Sequence, residues 1–144
     1  MKSSGTVIVC FNAENMAGIR HADAAIFHAM RSFHEGFPIA KTLEMEALLY
    51  AAGTRQCTEA GALGIHDGEN LLYICCCPPR EGCWNALATL VNFIDGPDGS
   101  IDPAHTGRLK HLYAITDEEI AAAGGESRLF DLVIERVALL DAYR

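Results

Sequence analysis

The chain has 144 residues, 50% of them hydrophobic, and a formal net charge of -8. That is enough for one compact domain around a single core, expected to span residues 1-144 without a linker. The acidic balance excludes a domain that holds nucleic acid by blanket phosphate neutralisation, because such domains are basic.

The charge is uneven. Residues 1-66 carry five Lys/Arg against six acids and four of the six histidines, whereas the remainder carries six basic and thirteen acidic residues. An anionic partner is therefore expected at the first half, through few phosphate contacts. Met1 to Gly5 begins no long apolar run, and no later stretch approaches the roughly 18 to 20 apolar residues of a membrane span. The expectation is a soluble, cytoplasmic protein with no membrane partner.

In chain order, Thr6 to Asn12 (TVIVCFN) alternates and β-branches like an opening strand. Asp23 is placed to cap a helix with Ile26, Phe27, Met30 and Phe33 as its core stripe, ending near Gly36. Thr42 caps the next helix, with Glu44 and Glu46 at the positive end of its dipole and Gly53 as its stop. Thr54 caps a short helix to about Leu63, and Gly64, Gly68 and His66-Asp67 either close a turn or let backbone approach a ligand.

Leu71 to Cys77 reads as a buried strand, followed by a turn at Pro78-Pro79. Glu81 to Ile94 reads as a helix carrying Trp84, Leu87, Leu90 and Val91, and Asp95 to Gly99 as a turn. Leu109 to Ile115 (LKHLYAI) suggests a further strand, and Thr116 to Glu119 matches the capping box that opens a helix. A last helix from Ser127 to about Asp141 combines core residues such as Val133 and Val137 with Leu140 and Tyr143, which are candidates for a partner contact. Three or four strands with about six helices and no regular βαβ alternation predict an α+β two-layer sandwich, a small mixed or antiparallel sheet packed by helices.

The six cysteines do not make a metal site on this reading. Adjacent strand residues such as Cys75, Cys76 and Cys77 point to opposite faces, and no CxxC or HxxxH set accompanies Cys83, so reduced structural cysteines are expected. An acid-base site would have to use Glu44, Glu46, His66 and Asp67. The two glutamates are two residues apart, about 200° around a helix axis, and cannot flank one bond. No Gly-rich phosphate loop, HExxH or nucleophile elbow is present, so no catalytic residue, metal or cofactor is assigned.

The blocks Ala22 to Ala29 (ADAAIFHA), Pro38-Ile39-Ala40, Met45 to Leu49, Ala51 to Gln56 (AAGTRQ) and Gly64 to Gly68, with Ile115 to Ile120 and Leu132 to Asp141, follow one another over residues 6-142. In order and spacing they resemble the small tRNA-binding subunit of the KEOPS complex, the family of the PRPK-binding protein. The resemblance implies a non-catalytic subunit in the synthesis of threonylcarbamoyladenosine on tRNA. Such a subunit binds the kinase-like ATPase directly, reaches the transferase only through that ATPase, and captures the single-stranded 3' CCA end of tRNA.

A single-stranded end is gripped by stacking, base-edge hydrogen bonds and a few cations, so an acidic chain remains compatible with it. The candidate tRNA contacts are Lys41, Thr42, Glu46, Tyr50, Gly53, Thr54, Arg55, Gln56 and Gly64. Arg55 suits phosphate or base stacking, and the amides of Thr54 to Gln56 suit a phosphate. Lys41 stands where similar sequences often carry a small polar residue. The alternative from the same residues is an interaction module that binds only a kinase-like partner.

Overall fold

The computed structural model describes residues 2-3, 6-77, 82-93 and 103-143. The fold is α+β, as expected. Strands β1 (Lys2–Ser3), β2 (Thr6–Asn12) and β3 (Leu72–Cys77) form an antiparallel sheet in the order β1-β2-β3. Val9 lies opposite Cys75 and Phe11 opposite Tyr73, so one face of the sheet carries Val7, Val9, Phe11, Tyr73, Cys75 and Cys77.

Seven α-helices are found among the described residues: α1 (Ile19–Glu35), α2 (Leu43–Ala52), α3 (Cys57–Ala60), α4 (Cys83–Leu87), α5 (Pro103–Leu112), α6 (Asp117–Ala123) and α7 (Leu129–Tyr143). Helices α1, α2 and α7 cover the Val9/Phe11 face. Their shared core contains Val9, Phe11, Met16, Ala22, Ala25, Ala29, Ala47, Tyr50, Ala51, Leu63, Val137 and Leu140. A second cluster joins α5, α6 and α7 through Leu109, Tyr113, Ile115, Ile120, Leu129, Leu132 and Val133.

Helix α1 differs from its expected form in start and in face. It begins at Ile19 behind Gly18, so Asp23 is an exposed residue within the helix and not its cap. Its core face is His21, Ala22, Ala25, Ala29 and Ser32. The expected stripe points the other way, with Phe27 60%, Met30 44% and Phe33 36% exposed and only Ile26 half-buried. Small residues on the buried face let α1 lie close to α2, whose own face contributes Ala47 and Ala51. Bulk was read as a sign of burial, but closeness of approach decided the face.

Other boundaries moved for local reasons. LKHLYAI is the end of α5 and not a strand, and the helix stops at Ala114 in a left-handed conformation (φ 52°) with Ile115 N–H donating to Lys110 O. The helix expected over Glu81 to Ile94 is regular only from Cys83 to Leu87, with Trp84 and Leu90 exposed and Leu87 buried. The expected turns at Pro78-Pro79 and Asp95 to Gly99 lie outside the described residues. Thr42 and Thr116 cap α2 and α6 as read, accepting from Met45 N–H (3.2 Å) and Glu119 N–H (3.1 Å).

Candidate nucleic-acid interface

The residues nominated for a tRNA contact, Gly64 apart, divide between the two halves of α2 and its flanks. At its first turn the Glu46 side chain folds inward and is fully buried. Its carboxyl group accepts from Ser32 Oγ (2.5 Å), Ile39 N–H (3.1 Å) and Ala40 N–H (2.7 Å), which pins the loop between α1 and α2. Tyr50 is also fully buried, stacked on His28 at 5.5 Å, with its hydroxyl donating to Asp141 (3.1 Å). Neither side chain reaches the surface, so neither is placed to touch an RNA. Thr42 spends its hydroxyl on the cap, and Lys41 beside it is exposed.

The other end of α2 does face solvent. Gly53 ends the helix at φ 68°, with its N–H bonded to Tyr50 O and Thr54 N–H to Leu49 O. A side chain is barred there twice: the left-handed conformation strains it, and a Cβ would lie 3.0 Å from Arg136 Cβ. Arg136 is held in turn by Glu119 through two bonds of 2.7 and 3.0 Å. That guanidinium, with the Thr116 backbone amide behind it, holds the Glu119 carboxyl below its usual range.

Thr54 does not cap α3 directly, because the capping position is Gln56. Thr54 Oγ1 accepts from Gln56 N–H (3.0 Å) and donates to Glu59 (2.8 Å), closing a turn on which Arg55 and Gln56 are exposed. The amides of Thr54 and Gln56 are therefore spent within the fold, and an anion at this junction would be met by the Arg55 side chain.

Beside the turn lies a cleft of about 230 Å³ lined by Ala52, Thr54, Glu59, Leu63, Leu112 and Tyr113. Its walls mix polar and apolar atoms, and the Thr54-Glu59 pair forms one polar edge. His21 anchors these walls. Its Nδ1 accepts from Ala17 N–H (3.0 Å), so the neutral ring carries its proton on Nε2 and donates to Ala51 O (2.8 Å). Burial lowers the His21 pKa to about 4, against a smaller upward pull from the Ala51 carbonyl. Tyr113 packs edge-on to this ring at 5.6 Å and donates to Asn15 O (2.7 Å), and burial raises its phenol.

The remaining nominated residues are structural in their contacts. Gly64 is extended, with Leu48 Cδ1 3.4 Å from where its Cβ would lie. The His66-Asp67 turn closes on itself: His66 N–H donates to Asn70 Oδ1 and Asn70 Nδ2 returns bonds to His66 O and Gly68 O. Glu44, Glu46, His66 and Asp67 contribute nothing to the cleft lining. Leu140, nominated for a partner, is 8% exposed and belongs to the core; Tyr143 ends α7, and its side chain lies outside the described residues.

A surface missed in the sequence is the outer face of α1. Ile19, Phe27, Met30 and Phe33 fall within an arc of roughly 120° at 100° per residue, and Phe37 beyond the helix is 75% exposed. Arg31 lies 5.7 Å from the Phe27 ring centroid. The signal was present, since Phe27, Met30 and Phe33 were read with Ile26 as one stripe, but its direction was not.

Among the described residues no group of three or more His, Cys, Asp or Glu side chains is arranged to hold a metal ion, and no helix is long and apolar enough to cross a membrane. No protein-family model matches the chain, and no curated protein matches it.

Proposed function

We propose that the chain is a non-catalytic subunit of the KEOPS type, which binds the single-stranded 3' CCA end of tRNA and docks on a kinase-like ATPase to support threonylcarbamoyladenosine synthesis. The observation that carries the reading is the junction after α2, where exposed Arg55 adjoins Thr54 at the edge of a cleft with mixed polar and apolar walls. At about 230 Å³ the cleft is smaller than the roughly 300 to 1,000 Å³ of drug-sized ligand sites. It suits one unstacked base, with Ala52 and Leu112 against the ring and Glu59 accepting from an exocyclic amine. Arg55 meets the adjoining phosphate. Recognition of this kind needs few cations, in keeping with the nearly balanced charge of residues 1-66.

The kinase-like partner fits the outer face of α1 better than the end of α7. Phe27, Met30, Phe33 and Phe37 form an exposed apolar patch, whereas Leu140 is buried. The same patch favours the second reading, a module that binds the partner and no RNA. Arg55→Glu separates the two. On the preferred reading it abolishes tRNA retention in a filter assay and leaves partner co-purification intact; tRNA retention equal to wild type removes Arg55 from the site.

A further inference from the structure

Cys75 and Cys77 stand two residues apart on β3 and project to the same face of the sheet, with their sulfur atoms 3.2 Å apart. Cys76 between them faces the other side and has the Cys83 thiol as its partner. We propose that Cys75 and Cys77 form a redox-active vicinal dithiol, oxidised by small hydroperoxides to an intrastrand disulfide and restored by thiols. This inference is independent of the tRNA reading.

The contact divides the labour between the two sulfurs. The hydrogen bond between the two sulfurs lowers the Cys77 pKa and, with burial, raises that of Cys75, so Cys77 is the readier thiolate. The Cys76 thiol is pushed up to about 12, by burial first and by Cys83 next, and burial also raises Cys10. The other thiols of the sheet are thus the poorer nucleophiles. Cys77 is buried, at 4% exposed, and Cys75 is half-buried.

In the first step the Cys77 thiolate attacks one peroxide oxygen. An S–O bond forms, the O–O bond breaks, and the leaving hydroxide takes a proton to become water. In the second, the Cys75 sulfur attacks the Cys77 sulfenic acid: the S–S bond forms, the S–O bond breaks, and the departing hydroxide leaves as water with the Cys75 proton. Two thiols and one hydroperoxide give one disulfide and two waters when the oxidant is hydrogen peroxide.

The position in the sheet makes the bond reversible. Residues two apart in a strand are about 6.6 to 6.8 Å apart at Cα, the outer limit for a disulfide, so the strand must bend. Among the described residues β3 is an edge strand and Cys77 is its last residue, so the bend falls at the end of the ladder, where Cys76 pairs with Ile8 and Cys77 with Val7. A strained disulfide is readily reduced, the property of labile rather than structural bonds.

The test is peptide mapping of the full chain after a small excess of hydrogen peroxide, with free thiols blocked before tryptic digestion. The peptide from Gln56 to Arg80 contains Cys57, Cys75, Cys76 and Cys77. It should carry two blocking groups in place of four and, those groups apart, be lighter by about 2 Da, the loss of two hydrogens, with fragmentation placing the link between Cys75 and Cys77 and dithiothreitol reversing it. The loss should persist in C57S and C76S and vanish in C75S. A cross-link from this peptide to the one containing Cys83, a loss retained in C75S, or oxygen addition without a disulfide would each overturn the proposal; the fragment map of the unsubstituted chain decides even if a variant fails to fold.

Discussion

The two ends of α2 carry residues of the same general promise and opposite fates. At the first turn Glu46 is sealed among Ser32, Ile39 and Ala40, whereas past the last turn Arg55 is turned out to solvent beside a cleft. The family resemblance nominated both for one surface. What separates them is the backbone: free amides of the preceding loop draw the carboxyl inward, while the left-handed stop at Gly53 and the Thr54 bonds hold Arg55 outside. One end is closed into the fold and the other is exposed.

The comparison is broken most forcefully at the sealed end. Glu46→Ala removes the acceptor of three hydrogen bonds and strands two backbone amides, and should cost roughly 3 to 5 kcal/mol of unfolding free energy by urea titration. A cost near that of a surface substitution would mean that the loop does not depend on this carboxyl.

His21 gives the next largest effect, through pH. Its pKa is about 4 in the fold against 6.5 ordinarily, so the unfolded chain takes up the proton first as pH falls. The stability contributed by the neutral ring is complete above pH 6.5 and is lost towards pH 4, about 3 kcal/mol in all. Urea unfolding at pH 7, 5.5 and 4.5 should show the decline, and His21→Gln should flatten the part of it that begins near pH 6.5.

Gly53→Ala probes the open end from within the fold. The left-handed backbone costs a side chain roughly 1 to 2 kcal/mol, and the new Cβ presses on Arg136, so the melting temperature should fall and tRNA binding with it. Ala114→Gly works in the opposite direction. It relieves the left-handed stop of α5 (φ 52°) at the expense of unfolded-state entropy, for a gain of about 0.5 to 1 kcal/mol by the same titration. Arg55→Glu should change stability least, within about 0.5 kcal/mol, while removing tRNA retention.

Much of the local structure was legible because caps and stops announce themselves. Thr42, Thr116, Gly36 and Gly53 each mark a boundary where the chain turns. The end of α5 was not legible, since Ala114 fills a position at which glycine usually signals the stop, and LKHLYAI without that signal has the content of a strand. The α1 face was misjudged because Ala22, Ala25 and Ala29 carry no bulk to advertise burial. Of the candidate site, the Gly53 to Gln56 junction could be found from punctuation. The cleft beside it could not, because Leu112 and Tyr113 come from a segment distant in sequence.

The central claim is that this chain holds the single-stranded end of tRNA. The measurement that tests it most directly is the affinity of the purified protein for a full-length tRNA beside the same tRNA lacking its terminal CCA. The account predicts binding to the first and its loss on truncation; equal affinity for both, or none for either, would contradict it.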